Sequence, residues 1–119
     1  MNMKMDNQKL IVTIKEDSLW ARMATWRLKS KAVAMVFGRT IHLWGVTRSG
    51  FLASPSWVRH ELKHVEQYQK LGKLGFLWQY IIESIRNGYY RNKFEVEARH
   101  AEKEDTHLSR FEIREEWRK

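Results

Sequence analysis

Cysteine is absent from this chain, and proline occurs only once, at Pro55. Without cysteine the chain can form neither disulfides nor thiolate metal sites, and it fits a reducing compartment. Long apolar runs are absent too: no stretch approaches the roughly 18 residues of a membrane-spanning helix, and residues 1–10 lack the apolar segment of a signal peptide. We therefore expect a cytoplasmic protein with no transmembrane segment.

The length and aromatic content of the chain predict one small folded domain. A chain of 119 residues has room for one modest core. Six Trp, five Phe and four Tyr supply the large apolar groups that would fill it. No linker, repeat or low-complexity segment divides the sequence. We predict a single domain over residues 1–119, with a core at about residues 17–104 and terminal segments that can be mobile or inhibitory.

The excess of basic residues lies in the first two thirds of the chain. Residues 1–80 contain 13 Lys/Arg and 5 Asp/Glu, which accounts for the whole net charge of +8, whereas residues 81–119 contain nine of each. A basic face interleaved with Trp20, Trp26 and Trp44 can hold phosphates and stack bases. Because no nucleic-acid-binding motif accompanies it, we rank this interpretation below the metal hypothesis that follows.

The segment HELKH, at residues 60–64, carries the chemistry that the composition leaves open. His60 and His64 are four residues apart, so on a helix they project from one face. Two neutral imidazoles so placed can bind one zinc ion, and Glu61 between them can accept a proton from a water molecule at the metal. The sequence therefore predicts a zinc site of the HExxH type.

Apolar spacing and turn residues predict an α+β arrangement around this motif. The predicted elements are a short strand at residues 10–14, a helix capped by Asp17 or Ser18 and running to about Ser30, a hairpin of strands 32–37 and 40–44, the HExxH helix from Ser54-Pro55 to Gly72, an apolar helix at residues 74–86 ended by Asn87-Gly88, and a helix from Asn92 that breaks near residues 105–106 and resumes to Trp117.

Two of these helices carry further apolar patterns. Leu19, Met23 and Trp26 recur at helical spacing and predict an apolar stripe on the first helix. Residues 74–85, LGFLWQYIIESI, fit either a helix packed behind the HExxH helix or a segment lying on a membrane surface. We favour packing, because this segment has no lysine-rich opposite face.

Two histidines do not complete a catalytic zinc site, which needs a third protein ligand and an open position. Glu95 is the best placed candidate, near the start of a predicted helix, and Glu97 is the reserve. Glu95 also fits a capping box, as the third helical residue after Asn92. The remaining histidines and downstream carboxylates are His42, His100, His107, Glu83, Glu102 and Glu104.

The segment RHELKHVEQY followed by NKFEVEARHA resembles the gluzincin metallopeptidases, and is most similar to their very small, minigluzincin-like members. The resemblance implies that His60, His64 and Glu95 hold zinc, with Glu61 as general base. A Tyr or His that stabilises the oxyanion is also implied, and the candidates are Tyr89, Tyr90 and His100. Arg99 stands where an aspartate often follows in this family, so Gln67 or Glu97 would have to orient a ligand histidine.

These observations lead to one main hypothesis and two alternatives. The main hypothesis is a compact zincin-like α+β domain, with a small antiparallel hairpin or sheet packed on three or more helices. It would act as a zinc-dependent peptidase on peptide or protein substrates, in a self-inhibited or self-associating form if its termini or copies cover the cleft. The alternatives are a non-catalytic, zinc-stabilised protein that binds a partner and, below it, a basic nucleic-acid-binding module.

Overall fold

The computed structural model describes residues 10–104 and 111–115, and within them the predicted α+β class is confirmed. The elements in chain order are β1 (Leu10–Lys15), α1 (Leu19–Leu28), β2 (Val33–Phe37), β3 (Thr40–Trp44), α2 (Arg48–Leu52), α3 (Pro55–Leu71), α4 (Lys73–Arg91), α5 (Lys93–Ala101) and β4 (Phe111–Glu115).

The described strands form one mixed sheet in the order β2-β3-β1-β4. The predicted hairpin is present, because β2 and β3 are antiparallel and join through Gly38-Arg39. The rest of the sheet, which the sequence did not predict, is parallel: β1 runs parallel to β3 on one side and to β4 on the other. The intervening chain allows this, since α1 and β2 separate β1 from β3, and parallel neighbours need a long connection.

The segment Phe111–Glu115 is a strand, so the prediction of a helix through it is wrong. It pairs with β1 from Leu10 opposite Phe111 to Ile14 opposite Glu115. Its apolar residues, Phe111 and Ile113, alternate with charged ones, which is the period of a half-buried strand. The predicted break at residues 105–106 and the end at Trp117 lie outside the described residues. The sheet thus extends beyond the predicted core of residues 17–104.

The core lies between the sheet and α3. On the sheet side Val12, Ile41 and Leu43 are fully buried, and Leu62 and Val65 of α3 are fully buried opposite them. Leu62 and Val65 are three residues apart and so lie on one face of α3, and burying a side chain of this size contributes about 1.5–3 kcal/mol. One face of α3 is therefore fixed against the sheet, which leaves the histidine face turned toward α4 and α5.

Two glycines divide the helical half of the fold. Gly72 ends α3 with φ 81°, and its N–H donates to the Tyr68 carbonyl over 2.7 Å. Gly88 interrupts α4 with φ 81° and ψ 165°, where the sequence predicts the helix to end. Both backbones have the positive φ that glycine adopts without steric cost. None of the described helices is long and apolar enough to cross a membrane.

The apolar stripe of α1 exists but faces away from the core. Leu19, Met23 and Trp26 are 68%, 64% and 85% exposed, whereas Ala21 is fully buried. Ser18 caps the helix, because its side chain accepts a hydrogen bond from the Ala21 N–H. Helical spacing predicts the stripe, but which side of the helix meets the sheet depends on packing.

Candidate metal centre

The two motif histidines lie on the buried flank of α3. His64 is buried and His60 is partly buried, and their rings meet edge to face with centroids 5.1 Å apart. Both Nε2 atoms point to the same carboxylate: Glu95 Oε1 lies 3.0 Å from His60 Nε2 and 3.2 Å from His64 Nε2. The i, i+4 spacing thus produces the convergence that the sequence predicts.

Glu95 comes from the first turn of α5, and its carboxylate does not cap that helix. Asn92 is the N-cap, since its Oδ1 accepts from the Phe94 N–H over 2.8 Å. The Asn92 N–H, which a capping box would give to Glu95, donates to the Tyr89 carbonyl over 3.2 Å. The Glu95 side chain is instead 4% exposed and lies against the histidines. The capping-box interpretation therefore does not describe this site.

The three side chains fit a metal ion. One ligand atom from each of His60, His64 and Glu95 lies within 4.8 Å of the other two. Tetrahedral zinc with bonds of about 2.1 Å places its ligand atoms about 3.4 Å apart, close to the 3.0 and 3.2 Å found here. Two imidazoles and a carboxylate are donors that suit zinc and leave a fourth position open. These residues can hold a metal ion.

Each histidine is also held through its other ring nitrogen. Glu102 Oε2 lies 2.7 Å from His60 Nδ1, and the Glu102 carbonyl accepts hydrogen bonds from Arg59. Gln67 Oε1 lies 2.8 Å from His64 Nδ1. Such contacts fix the tautomer and the orientation of a ligand imidazole. Gln67 is thus in the place that the sequence proposed for it, whereas Glu102 is a downstream carboxylate whose role the sequence did not predict.

Glu97, the reserve ligand, contacts Gln67 and not the two histidines. Its Oε1 accepts from Gln67 Nε2 over 2.7 Å, and Gln67 Nε2 also donates to the Phe94 carbonyl over 3.2 Å. Gln67 must therefore present its oxygen to His64, because both of its observed donor contacts use the amide nitrogen. Glu97 is two residues beyond Glu95, which turns it about 200° around α5 and away from the histidines.

Tyr80, which the sequence analysis did not single out, completes the surroundings of Glu95. Its hydroxyl donates to Glu95 Oε2 over 2.5 Å, so that both carboxylate oxygens are engaged. Burial raises the pKa of Tyr80 far above its usual range, and the neighbouring Glu95 raises it further, so the hydroxyl stays protonated. The residue lies in an apolar segment, where a tyrosine is typical of core packing.

The carboxylate between the rings shifts the pKa values of the group. Burial alone would lower the pKa of His60, but hydrogen bonding to Glu95 and Glu102 and the nearby Glu61 carboxylate raise it to about 9. Burial would also lower the pKa of His64, but the hydrogen bond to Glu95 and the charge of that carboxylate outweigh this effect and raise it. Burial would raise the pKa of Glu95, yet the two imidazoles hold it well below its usual range. The two histidines therefore hold protons that a bound metal ion would displace.

Glu61 is buried on the same flank of α3, beside the histidines. Burial raises its pKa to about 7, although His64 and His60 oppose this rise. With His60, His64 and Glu95 it lines a cavity of about 290 Å³. The rest of the lining comes from α1, β2, α3 and α4 and is mostly apolar: Ala24, Leu28, Val33, Ala34, Met35, Val36, Tyr68, Phe76, Leu77, Tyr80 and Tyr89. A carboxyl with this pKa can both accept and release a proton near neutrality.

The other predicted site residues have different places. Tyr89 lines the cavity, but Tyr90 and His100 do not. Tyr90 is 71% exposed and stacks with the Arg99 guanidinium, 4.0 Å from its ring centroid. His100 is exposed near the end of α5. The expectation that Tyr90 and His100 face the metal group is not met, because the break at Gly88 and the exposed side of α5 turn them outward.

Of the two remaining histidines, the one that the structure describes does not join the group. His42 lies on β3, where its Nδ1 is 2.9 Å from Ser18 Oγ, and His107 lies outside the described residues. Comparison of the chain with protein-family models, with curated proteins and with solved structures finds no match.

Proposed function

We propose that this chain is a zinc-dependent peptidase of the gluzincin type. The observation that supports the proposal most is the convergence of His60, His64 and Glu95 on one wall of a cavity, with Glu61 buried next to them. Three protein ligands with an open fourth position distinguish catalytic zinc sites from structural ones. The absence of cysteine is compatible with the cytoplasm as the proposed compartment.

Zinc held by the three ligands would lower the pKa of water to about 7 and polarise a substrate carbonyl. Glu61 is placed to serve as general base and then as general acid. Its carboxylate would take a proton from water and return it to the leaving amine. Glu61 is only 5% exposed and lines the same cavity as the proposed ligands.

The two tyrosines of the cavity have separate proposed roles. Tyr80 holds Glu95 in the orientation in which Oε1 meets both histidines. Tyr89 is 48% exposed and lines the cavity, so its hydroxyl can donate a hydrogen bond to the oxygen that becomes negative during hydrolysis. We therefore propose Tyr89, and not Tyr90 or His100, as the oxyanion donor.

The edge of the sheet supports a peptide as the substrate. Strand β2 is the last in the order β2-β3-β1-β4, and residues 33–36 of this strand line the cavity. An extended peptide can add to such an edge through backbone hydrogen bonds, with alternate side chains entering pockets. A peptide bound there would pass the metal group, since the strand and the ligands border one cavity.

Metal analysis and peptide hydrolysis test the proposal together. Protein purified without chelator or affinity tag should hold one zinc per chain, and His60→Ala or His64→Ala should lose it. Zinc at about 100 times its Kd should raise the free energy of unfolding by about 2.7 kcal/mol. The zinc form should cleave members of a broad peptide library, and the chelated form should not. No metal binding at micromolar zinc would overturn the proposal.

A non-catalytic, zinc-stabilised protein is the second candidate. Both ring nitrogens of each motif histidine already have polar partners, which is also how a structural metal site is kept rigid. A small chain gains much from one metal. Bound zinc and zinc-dependent stability without hydrolysis of any library peptide, with or without the terminal segments, would favour this candidate.

A further inference from the structure

Helix α4 carries a row of apolar side chains that no described part of the chain covers. Leu74, Trp78, Ile81 and Ile85 are spaced four, three and four residues apart, which places them on one side of the helix. Their exposed fractions are 78%, 66%, 43% and 79%. The other side of α4 enters the core through Phe76. A contiguous apolar row of this kind marks a surface for a partner.

Helix α1 carries a second row. Leu19, Trp20, Met23 and Trp26 are 68%, 66%, 64% and 85% exposed. The buried residue of this helix is small, Ala21, whereas Trp20 and Trp26 are exposed to solvent. Most of the apolar area of α1 therefore lies outside the core. A surface helix normally turns its large apolar side chains toward the core and its polar side chains toward solvent. Helix α1 has the opposite arrangement.

The two helices that carry these rows also line the cavity of the metal group through other residues. Leu28 and Ala24 bring α1 to its lining, and Leu77 brings α4. Leu77 also belongs to a shallow surface depression with Leu74, Trp78 and Ile81. The two exposed rows therefore continue outward from residues that line the cavity.

Basic residues accompany both rows. Residues 19–31 contain four basic residues and no acidic one, and residues 70–91 contain four basic residues and one acidic one, Glu83. The Glu83 carboxylate is engaged within the chain, because it accepts from Asn87 Nδ2 and from the Lys93 N–H. The segments that carry the apolar rows therefore have an excess of positive charge, as does the chain as a whole, with its net charge of +8.

We propose that α1 and α4 bind an anionic lipid surface, with the cavity of the metal group beside the bound face. Aliphatic and tryptophan side chains with basic neighbours are the composition of helices that lie in the interface of a bilayer. A second copy of the chain would bring like charges together. Nucleic acid would meet the charge but not the aliphatic row of α4, which offers one aromatic ring for stacking. An anionic bilayer complements both properties.

This surface is separate from the metal ligands, so lipid binding does not rest on the proposed peptidase activity. The test is co-sedimentation of the full chain with vesicles of phosphatidylcholine mixed with phosphatidylserine, and with vesicles of phosphatidylcholine alone. We expect binding to the mixed vesicles only, decreasing as salt is added. Trp78→Glu in α4 and Trp26→Glu in α1 should each weaken that binding about tenfold or more.

A charge-matched control separates the apolar row from a simple loss of net positive charge. Gln69→Glu alters the charge equally at an exposed site on α3, and it should leave binding nearly unchanged. Thermal unfolding followed by circular dichroism should show all three variants folded. Equal binding to both kinds of vesicle, no binding to either, or equal effects of Gln69→Glu and Trp78→Glu would overturn the proposal. Self-association without lipid, or oligonucleotide binding that Trp26→Glu abolishes while vesicles do not bind, would also overturn it.

Discussion

At the scale of single residues, Glu95 shows how one side chain can satisfy two patterns in a sequence. As the third residue of α5 it fits a capping box, and as a carboxylate downstream of HExxH it fits a metal ligand. In the fold its carboxylate contacts His60, His64 and Tyr80. The carboxylate therefore takes the position of a metal ligand and does not form the capping box.

We expect Glu95→Ala to weaken zinc binding by about 100-fold or more, because it removes one of three ligands. Glu97→Ala should weaken it by about tenfold or less, since Glu97 acts only through Gln67. Competition with a chromogenic zinc chelator measures both. A larger effect for Glu97 than for Glu95 would transfer the ligand role to Glu97.

Glu102 gives a second prediction at this scale. It holds His60 through Nδ1, so Glu102→Ala should reduce zinc affinity about 10- to 100-fold while the stoichiometry remains one. Glu104→Ala makes the same change of charge two residues further along and serves as the matched control. Equal effects of the two substitutions would show that Glu102 contributes only general negative charge near the site.

The raised histidine pKa values predict how metal affinity depends on pH. In the metal-free protein the pKa of His60 is about 9, so below that pH a proton occupies the ring that zinc must bind. Rising pH removes this proton, and the raised pKa of His64 adds a second competing proton, so the apparent affinity should increase at least about tenfold per pH unit near pH 7 and level off toward about pH 9. Chelator competition across that range measures the slope. A flat profile would contradict the proton competition.

The sequence predicted much of the site at this scale, but not the residues that hold the ligands. His60, Glu61 and His64 share one helix, so their geometry follows from helical spacing alone. Tyr80 and Glu102 reach the group only because α4 and the end of α5 fold back against α3, and no local pattern encodes that distance. In the sequence alone, Tyr80 is typical of an aromatic residue packed in the core, and Glu102 is one of several acidic residues.

At the scale of elements, Asn92 joins the two helices that surround the metal group. It is fully buried and caps α5 through Oδ1, while its Nδ2 donates to the Tyr80 carbonyl and to Ser84 Oγ on α4. The start of α5, and with it Glu95, is thereby fixed to the helix that carries Tyr80. The cap is thus also the contact that fixes the relative position of these helices.

We expect Asn92→Ala to lower the free energy of unfolding of the metal-free chain by about 2 kcal/mol. The loss combines a helix cap with buried polar groups left unpaired. Asn87→Ala is the matched control: its side chain is exposed, and its Nδ2 donates to Glu83. Urea denaturation of both variants measures the difference. A cost of Asn92→Ala no larger than that of Asn87→Ala would contradict this account of the junction.

Elements with local signals were predictable, and those that depend on a partner were not. The hairpin of β2 and β3 and the helix from Pro55 carry turn and cap residues within a few positions. The segment FEIRE of β4 has the alternation of a strand, but it is only five residues long and its partner β1 lies about a hundred residues earlier in the chain. The charged residues around it are typical of a solvated helix, which is why a helix was predicted there. The sequence also did not predict which side of α1 faces solvent. Periodicity predicts an apolar stripe on a helix, but it does not identify the element against which the helix packs.

At the scale of the whole molecule, the core, the metal group and the surface charge have separate places. The sheet and α3 bury most of the apolar core. The opposite flank of α3, with α4 and α5, forms the metal group, and α1 and α4, which carry the exposed apolar rows, line its cavity through other residues. On the two proposals together, a hydrolytic site would lie beside a bilayer, where its substrates would be peptides at that surface.

We propose that Glu61 transfers a proton in a zinc-dependent hydrolysis, and the turnover of Glu61→Gln measures this role. Glutamine keeps the size of the side chain and can hydrogen-bond water, but it cannot accept a proton. We expect the variant to retain one zinc and to lose about 100- to 10,000-fold in the rate of hydrolysis of a peptide cleaved by the wild type. Equal rates for the two zinc-loaded proteins would contradict it.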